Sequence, residues 1–448
     1  MTQVDQILNC RWLLPIAPEN TILEHHSIAI NAGKIIAVAA TATIKQEYKS
    51  NNNIDLLDHV VTPGFVNSHT HASMNLFRGI ADDVDFVDWL TNNILPAEQI
   101  VCNEEAIIAG SKLSIAEMLR TGTTCFNDNY FFPHVTAEIA KQLGIRASVG
   151  LQIYNVENQW SKTADEAIDK GLAVFNAAEK HELISWMLAP HAPYTVTDDN
   201  FSRIKEISDQ HELRVHLHLC ESQAETQHSL DNYNKRPIAR LDDLELLNDK
   251  LLAVHMLDVN PEEITLLAKK GVHIAHCPES NQKLANGFAP IKAYGDAGIN
   301  ITIGTDGAAS NNDLDMLGEA RTASFTAKAL SKDPKTLSAL TCLKMITLNG
   351  AKALGLDDKI GSIEIGKAAD ITAVDLSDNI TQPVFNPASH LIYCAAKTQV
   401  SDVWVAGKRL LQNFKLTAID QAELKAIANE WQPKILAAIG KGDSVRAI

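Results

Sequence analysis

The feature that most constrains the fold is a repeated alternation of short apolar segments with helical patterns through the middle of the chain. Helical patterns at Glu104–Arg120, Asp199–Gln210 and Pro261–Lys270 separate several of these segments. Eight segments across about 300 residues predict a closed, parallel (β/α)8 barrel of the TIM type. A doubly wound open sheet is the alternative, but no glycine-rich phosphate turn follows the first segment. The predicted barrel strands are Val60–His71, Thr123–Asn127, Ala147–Ile153, Ser185–Pro190, Val215–Cys220, Leu251–His255, Val272–His276 and Ile301–Thr305.

The two ends of the chain alternate apolar and polar residues with a period of two. Ser27–Ile30 and Lys34–Val38 show this pattern early, and Ala369–Val374 and Val403–Lys408 show it late. Neither end holds enough strands to be stable alone, so we expect one small β-sandwich domain built from both. The predicted division is residues 1–60 for its N-terminal part, 61–359 for the barrel, and 360–448 for its C-terminal part, with a terminal helix over Asp420–Ala438.

Composition and charge exclude several classes of protein. The chain is 46% hydrophobic and 21% charged, which is typical of a globular protein. Its net charge of −16, from 39 basic and 55 acidic residues, disfavours nucleic acid or an anionic membrane as a partner. We expect a cytoplasmic protein, because there is no basic, apolar leader and no run of about 18 apolar residues. The seven scattered cysteines predict neither a disulfide framework nor a zinc knuckle.

Chemically active side chains cluster at the carboxyl ends of the predicted strands, which form the working face of such a barrel. His69 and His71 end the first strand and, being two residues apart, point to the same side. A His-x-His pair alone is a weak signal, because a chain with 16 histidines often contains one by chance. The ordered set across the strands is the stronger signal, and its other members are His191, His218, Glu221, His255, His276 and Asp306.

Three histidines and one carboxylate make a hydrolytic metal site that leaves a position open for water. We choose His218 over His216 because it lies nearer the mouth of the barrel, and we expect His216 to be a packed residue deeper inside. Glu221 lies where it could move the proton of a metal-activated water, and His255 where it could stabilise developing charge. The predicted metal ligands are His69, His71, His218 and Asp306.

The motifs that hold these residues carry a family resemblance over nearly the whole chain. They are Pro63–His71, Gly122–Thr124, His191–Tyr194, His218–Glu221, His276–Asn281, Gly304–Asn312 and Gly361–Asp370. With them the chain resembles the 5′-methylthioadenosine/S-adenosylhomocysteine deaminase group of the amidohydrolase superfamily. The resemblance implies one divalent metal per subunit on the four predicted ligands, usually zinc with iron as the alternative, without a carbamylated lysine. It also implies a homo-oligomer, dimeric or tetrameric.

The same resemblance implies a reaction and a set of substrate contacts. The reaction is hydrolytic deamination at C6 of adenine, which would convert 5′-methylthioadenosine to 5′-methylthioinosine and ammonia in purine salvage. Glu98 would hold the ribose hydroxyls, and His191 would touch the purine or the ribose. Glu221 would protonate the ring nitrogen, and Asp306 would orient the nucleophile. Trp89 and Trp160 complete the predicted contacts as walls of the pocket, and a place in the apolar core is the alternative for Trp89.

One departure from the family pattern bears on substrate choice. Members that take S-adenosylhomocysteine are expected to carry arginines after the third strand, where they bind the amino-acid carboxylate. Residues 147–160 of this chain contain no Arg or Lys and offer Ile153, Tyr154 and Trp160 instead. A carboxylate that enters a pocket without a cation loses charge-assisted hydrogen bonds. We therefore predict that 5′-methylthioadenosine is the better substrate and S-adenosylhomocysteine a poor one.

Three alternatives remain open at this point. A triazine chlorohydrolase or aminohydrolase shares the barrel and much of the ligand set, although a triazine has no ribose diol for Glu98 to hold. A deaminase of another nucleobase, guanine or cytosine, is the second. The third is a non-catalytic protein that binds a metal or a nucleoside, which the accompanying proton-transfer residues disfavour.

Overall fold

The structure is a computed structural model that describes residues 1–439. One of its two eight-stranded sheets is parallel throughout, and each strand in it pairs with the next along the chain. The predicted (β/α)8 barrel is confirmed. In chain order, and numbered barrel strands 1 to 8, they are Phe65–Thr70, Thr123–Tyr130, Arg146–Ile153, Ile184–Pro190, Arg214–Leu219, Leu251–His255, His273–His276 and Asn300–Ile303.

The seam between strands 8 and 1 is joined by individual hydrogen bonds instead of a regular ladder. The Asp306 N–H donates to the His69 carbonyl at 3.0 Å. The Asn67 side chain accepts from the Thr305 N–H at 3.0 Å and donates to the Thr305 hydroxyl at 2.8 Å. The seam therefore brings the end of strand 1 directly beside the residues that follow strand 8.

Helices surround the barrel, and several begin where the sequence provides a capping side chain. The side chains of Asn103, Thr163, Thr197, Ser222 and Asn260 each accept a hydrogen bond from a backbone N–H in the first turn of the next helix. The helices between residues 104 and 353 are Glu104–Arg120, Pro133–Leu143, Ala164–Ala177, Asp198–His211, Gln223–Tyr233, Pro237–Asp243, Pro261–Lys270, Pro278–Lys283, Ile291–Asp296, Met316–Ser331, Ala339–Met345 and Leu348–Ala353.

The remaining helical segments lie before, beside and after the barrel. They are Thr41–Glu47, Phe86–Asp88, Leu95–Val101, Pro387–Tyr393 and Gln421–Ile439, the π-helical turn Trp89–Ile94, and the 3₁₀ turns Ala72–Phe77, Asn379–Thr381 and Lys397–Gln399. None of the helices in residues 1–439 combines the length and apolarity needed to cross a bilayer. All seven cysteines are free, and six of them are buried.

The small β domain is a separate mixed sheet to which both ends of the chain contribute, as predicted. The two ends meet where Asn53–Pro63 pairs antiparallel with Ile371–Asp375. A buried ion pair between Arg146 and Asp370, at 2.9 Å, ties this sheet to barrel strand 3. The strand order is Lys415–Leu416, Lys408–Gln412, Val400–Val405, Ile371–Asp375, Asn53–Pro63, Gln6–Leu13, Leu23–Asn31 and Lys34–Ala40, and Thr2–Gln3 pairs separately with Tyr48–Lys49.

The predicted first strand, Val60–His71, is divided between the two sheets. The strand of the small domain ends at Pro63, and barrel strand 1 begins after Gly64. Proline has no N–H to donate to a ladder. A Cβ atom on Gly64 would lie 2.1 Å from the Thr124 side chain, so only glycine fits where the chain changes sheet.

Candidate active site

Four side chains from three barrel strands converge at the mouth of the barrel. His69 Nε2 and His71 Nε2 lie 3.2 Å and 3.3 Å from Asp306 Oδ1. His218 Nε2 lies 3.3 Å from His71 Nε2. We call His69, His71, His218 and Asp306 the metal-ligand group. The ligand atoms form two clusters that share His69, one with His71 and Asp306 and the other with His218 and His255, and the atoms within each cluster lie within 4.8 Å of one another.

The Nδ1 atom of each histidine in this group is already bonded to the barrel. The pairs are His71 with the Asn129 carbonyl at 2.7 Å, His218 with the His191 carbonyl at 2.6 Å, and His69 with the His216 ring at 2.9 Å. Such bonds fix the ring orientation and leave Nε2 facing the centre. His69 Nε2 is buried and is not in hydrogen-bonding geometry with Asp306. Three imidazole nitrogens and a carboxylate in this arrangement suit zinc or iron.

His216 packs inside the barrel, as expected, but the sequence interpretation missed its second role. Its ring is fully buried and bonds to His69, one of the ligands. Alternation along strand 5 places His216 and His218 on one face. The two-residue spacing could therefore have indicated a pair in which His218 faces the predicted metal site and His216 supports another predicted ligand, His69.

Asp306 is held by two hydrogen bonds and by tight packing of the turn that follows strand 8. Its carboxylate accepts from the Ser280 hydroxyl at 2.7 Å and from the Gly307 N–H at 2.8 Å. Burial alone would raise the pKa of Asp306, but His69 and His71 outweigh it and hold that pKa well below its usual range. Asp306 also has a left-handed φ of 63°, a strained conformation that is typical of functional sites.

Glu221 and His255 form a second pair beside the metal-ligand group. His255 Nε2 lies 3.8 Å from Glu221 Oε1. The His255 ring is held through Nδ1 by Asn281 at 2.8 Å, and Asn286 donates to Glu221 at 3.3 Å. Burial raises the pKa of Glu221, which favours a carboxyl that can take up and release a proton. The two asparagines were not assigned roles from the sequence.

A cleft opens from these groups at the mouth of the barrel, and its lining combines apolar and polar side chains. None of its described lining residues is Arg or Lys. Its apolar lining consists of Met74, Phe86, Trp89, Leu90, Leu95, Phe131 and Leu284, and its polar lining, apart from the residues above, consists of Glu98, Tyr130, Gln152, Tyr154, His191 and Tyr194.

Glu98 and His191 both reach the cleft, as the sequence predicted. Glu98 is buried and accepts a hydrogen bond from the Tyr130 hydroxyl at 2.6 Å. Burial raises the pKa of Glu98 to about 7, although the Tyr130 bond opposes the shift. Burial also lowers the pKa of His191 to about 3, so its ring is neutral at physiological pH. The site therefore offers an acceptor and a neutral imidazole to a ligand.

The two predicted tryptophans have different positions. Trp89 lines the cleft, whereas Trp160 does not reach it. Trp160 packs against Phe132, with 5.3 Å between ring centroids. In the same loop the Asn158 side chain accepts hydrogen bonds from the N–H groups of Trp160 and Ser161 and so forms a local turn. The predicted substrate contact at Trp160 is corrected accordingly.

The end of strand 3 gives a second correction. Ile153 is fully buried in the apolar core, while Gln152 and Tyr154 line the cleft. Adjacent residues of a strand face opposite sides, so Ile153 and Tyr154 do not share a wall in regular geometry. Gln152 was missed, although alternation with Tyr154 was the signal that could have found it. Its Oε1 atom is buried without a hydrogen-bond partner.

Comparison with known proteins places this chain in a family. Residues 60–410 match the Amidohydrolase family. A 5-methylthioadenosine/S-adenosylhomocysteine deaminase of Teredinibacter turnerae is 40% identical over 434 residues, 97% of this chain and 98% of that protein. A protein of the same name from Saccharophagus degradans is 38% identical over 441 residues, 98% of this chain and 99% of that one.

Solved structures agree with this placement. The crystal structure of an adenosine deaminase from Xanthomonas campestris with bound zinc has a TM-score of 0.96 and 45% identity, and the match covers 97% of this chain and 99% of that one. The zinc complex of an atrazine chlorohydrolase from Arthrobacter aurescens has a TM-score of 0.88 at 24% identity, covering 96% and 100%, and shares the fold. The chain therefore belongs to the amidohydrolase family, within the group of the 5-methylthioadenosine/S-adenosylhomocysteine deaminases.

Proposed function

We propose that this chain is a metal-dependent hydrolytic deaminase that converts 5′-methylthioadenosine to 5′-methylthioinosine and ammonia. The observation that carries the proposal is the cleft, which has Glu221 and three of the four predicted ligands, His71, His218 and Asp306, at its floor and the buried acceptor Glu98 in its wall. The names of the two relatives, and the adenosine deaminase structure at 45% identity, support the same reaction class.

The metal we propose is a single zinc ion per subunit, held by His69, His71, His218 and Asp306. Support comes from the convergence of their ligand atoms and from the zinc in the Xanthomonas campestris structure. Iron accepts the same donors and is the alternative. When bound, such a metal lowers the pKa of a water molecule and so supplies a nucleophile near neutral pH.

The protein's own groups manage the protons and the charge of the reaction. Glu221, whose pKa is raised by burial, takes a proton from the attacking water and delivers it to the ring nitrogen beside C6. His255, fixed by Asn281, faces the developing charge at C6. Asp306, held by Ser280, orients the attacking water. The second proton of the attacking water passes to the amino group, the C6–N bond breaks, and the amino group leaves as ammonia while C6 becomes a carbonyl.

The wall of the cleft determines which nucleoside is held. The Glu98 carboxylate has two oxygens and accepts hydrogen bonds from both hydroxyls of a ribose. The apolar residues Phe86, Trp89 and Leu90 suit a methylthio group. S-adenosylhomocysteine instead carries a carboxylate, and no cation among the described lining residues receives it. S-adenosylhomocysteine is accordingly the poorer substrate.

We also propose a setting for the enzyme. It acts in the cytoplasm on a free nucleoside, without a nucleic-acid or membrane partner, and its net charge of −16 supports the exclusion of polyanions.

It forms a homodimer or homotetramer, which is supported by strongly exposed apolar side chains such as Phe385 at 89% and Ile380 at 70%. Light scattering on the purified chain measures the subunit number, and a monomer would contradict the proposed assembly.

A substrate panel with metal analysis on the same sample tests the proposal. The panel contains 5′-methylthioadenosine, S-adenosylhomocysteine, adenosine, guanine and cytosine, and a chlorotriazine is assayed for chloride release. We expect kcat/KM for 5′-methylthioadenosine to exceed that for S-adenosylhomocysteine by about tenfold or more, the effect of one lost charge-assisted bond. Equal values would refute the preference. Chloride release, or no turnover of any nucleoside by metal-replete protein, would refute the function.

A further inference from the structure

The turn that carries Glu221 is held by a second buried glutamate. Glu225 Oε1 accepts a hydrogen bond from the Cys220 N–H, and Glu225 Oε2 accepts one from the Glu221 N–H, each at 2.9 Å. The Glu225 side chain is buried, at 4% exposure. One carboxylate therefore satisfies both backbone donors at the point where the chain leaves barrel strand 5.

The backbone of this turn needs support because it is strained. Cys220 has a left-handed φ of 52°, which is costly for a residue that carries a side chain. Its carbonyl accepts from the N–H groups of Leu257 and Asp258 at 2.8 Å and 3.0 Å, in the turn that follows His255. Cys220 thus links the turn of Glu221, which we place in proton transfer, to the turn of His255, which we place in charge stabilisation. Glu225 holds the opposite side of the same residue.

An ordinary helix cap does not explain the bonds from Glu225 to the N–H groups of Cys220 and Glu221. Ser222 and Glu225 have the spacing of a capping box, and the Ser222 hydroxyl accepts from the Glu225 N–H at 3.2 Å. In an ordinary box the glutamate bonds back to the N–H of the capping residue, as Glu263 does to Asn260 at 2.9 Å. Glu225 instead bonds to the two residues before Ser222. No Lys, Arg or His within residues 1–439 forms an ion pair with it, so its burial costs stability.

We infer that Glu225 is a positioning residue for Glu221, acting through the N–H groups of Cys220 and Glu221. The inference rests on the function proposed above. The direction of the Glu221 side chain follows from the backbone at these two residues, so loss of either bond turns its carboxylate away from the substrate. The metal-ligand group is held by other bonds and stays in place.

The test is Glu225→Gln in the zinc-loaded full chain, assayed with 5′-methylthioadenosine. Glutamine keeps one acceptor oxygen but turns an NH₂ group toward the other backbone donor. We expect kcat to fall about 10- to 100-fold, the range seen when a supporting group of a site is removed, while KM, zinc content and Tm stay near the wild-type values. Glu166→Gln is the matched control, because Glu166 also accepts a backbone N–H at a helix start, from Lys162 at 2.9 Å, and touches no catalytic group. Its kcat should not change.

Hydrogen exchange of peptides that contain residues 219–222 supplies a readout that does not depend on activity. The Cys220 and Glu221 amides should exchange faster in Glu225→Gln than in the wild type, and exchange at the metal-ligand strands should not change. Unchanged kcat or unchanged exchange overturns the inference, and so does a fall in kcat fully explained by lost zinc or a lowered Tm. If Glu225→Gln does not fold, Glu225→Asp is judged by the same criteria. Wild-type protein inert toward every nucleoside would instead refute the proposed function, and the exchange result would still show whether Glu225 holds the turn.

Discussion

The floor and the outer wall of the cleft are built in different ways. The floor consists of the metal-ligand group with Glu221 and His255, all at or just beyond barrel strand ends, and each of its histidines is bonded through Nδ1 to another part of the barrel. The outer wall consists of Phe86, Trp89, Leu90, Leu95 and Glu98, from the connection between barrel strand 1 and the helix Glu104–Arg120.

The outer wall is held mainly by apolar packing. Its centre is the π-helical turn Trp89–Ile94, a geometry that occurs often at functional sites. The Trp89 Nε1 atom is buried without a hydrogen-bond partner, and the side chain of Glu98 bonds to Tyr130. From this difference we infer that the floor carries the proposed chemistry and the wall the proposed substrate contacts. Changes to the floor should therefore lower kcat or metal content, and changes to the wall should raise KM.

Metal removal tests the floor with the largest expected effect. Dialysis against a chelator should abolish turnover, because the four ligands then hold nothing that can activate water. Added zinc should restore turnover, and metal analysis of the restored protein should give about one equivalent of zinc per subunit. Circular dichroism on the chelated sample is the control for folding. Full activity in metal-free, folded protein would contradict the assignment of the floor.

Glu221→Gln separates proton transfer from metal binding within the floor. We expect kcat to fall by about 10² to 10⁴, the usual contribution of a general acid–base group, because an amide cannot carry the proton. Zinc content should stay at the wild-type value, since Glu221 is not among the four ligands. Turnover close to wild type would show that another group moves the proton.

The same contrast explains how much of the molecule the sequence could predict. Strands have a two-residue period and parallel strands end together, so spacing and strand order predicted that His69, His71, His218 and Asp306 lie near one another, as they do in the structure. The helices Glu104–Arg120 and Pro261–Lys270 have the predicted bounds, since capping asparagines mark where they begin.

Strand periodicity and helix capping could not predict the geometry of the connecting segments. Trp89 begins a π-helical turn and Trp160 lies in the loop after strand 3, and no periodicity states which one faces the cleft. The answer depends on the side-chain turn at Asn158 and on the packing of Phe132. The division of Val60–His71 between two sheets likewise depends on the close contact of Gly64 with Thr124, which is a tertiary fact.

Glu98→Gln tests the wall at the ribose. Replacing a charged acceptor with a neutral one roughly halves the strength of its hydrogen bonds, so we expect kcat/KM to fall by about tenfold, mostly through KM. A matched pair of substrates, adenosine and 2′-deoxyadenosine, supplies the control. The wild type should distinguish the two more strongly than the variant does. Equal discrimination by both proteins would show that Glu98 does not bind the diol.

The pH dependence of kcat/KM tests the same carboxylate without a mutation. The pKa of Glu98 in the free protein is about 7, raised by burial, so the group is protonated below that pH and ionised above it. Only the ionised form offers both oxygens as acceptors, and kcat/KM should therefore rise with pH through about 7. The Glu98→Gln variant should lose this limb of the profile. A limb that persists in the variant belongs to another group, such as Glu221.

Substitutions of the two tryptophans should have the smallest effect on activity, but they test the comparison between the floor and the outer wall most directly. Trp89→Leu removes part of the cleft wall and should raise KM for 5′-methylthioadenosine by roughly threefold to tenfold, which corresponds to about 1 kcal/mol of lost contact. Trp160→Leu removes a similar area from the apolar packing around Phe132, so it should lower the free energy of unfolding by about 2 kcal/mol and leave kcat/KM unchanged. Steady-state kinetics measure the kinetic constants of both variants, and urea denaturation measures their free energies of unfolding. If Trp160→Leu raised KM as much as Trp89→Leu, the loop after strand 3 would have to reach the substrate, and the division between a floor for chemistry and a single outer wall for affinity would fail.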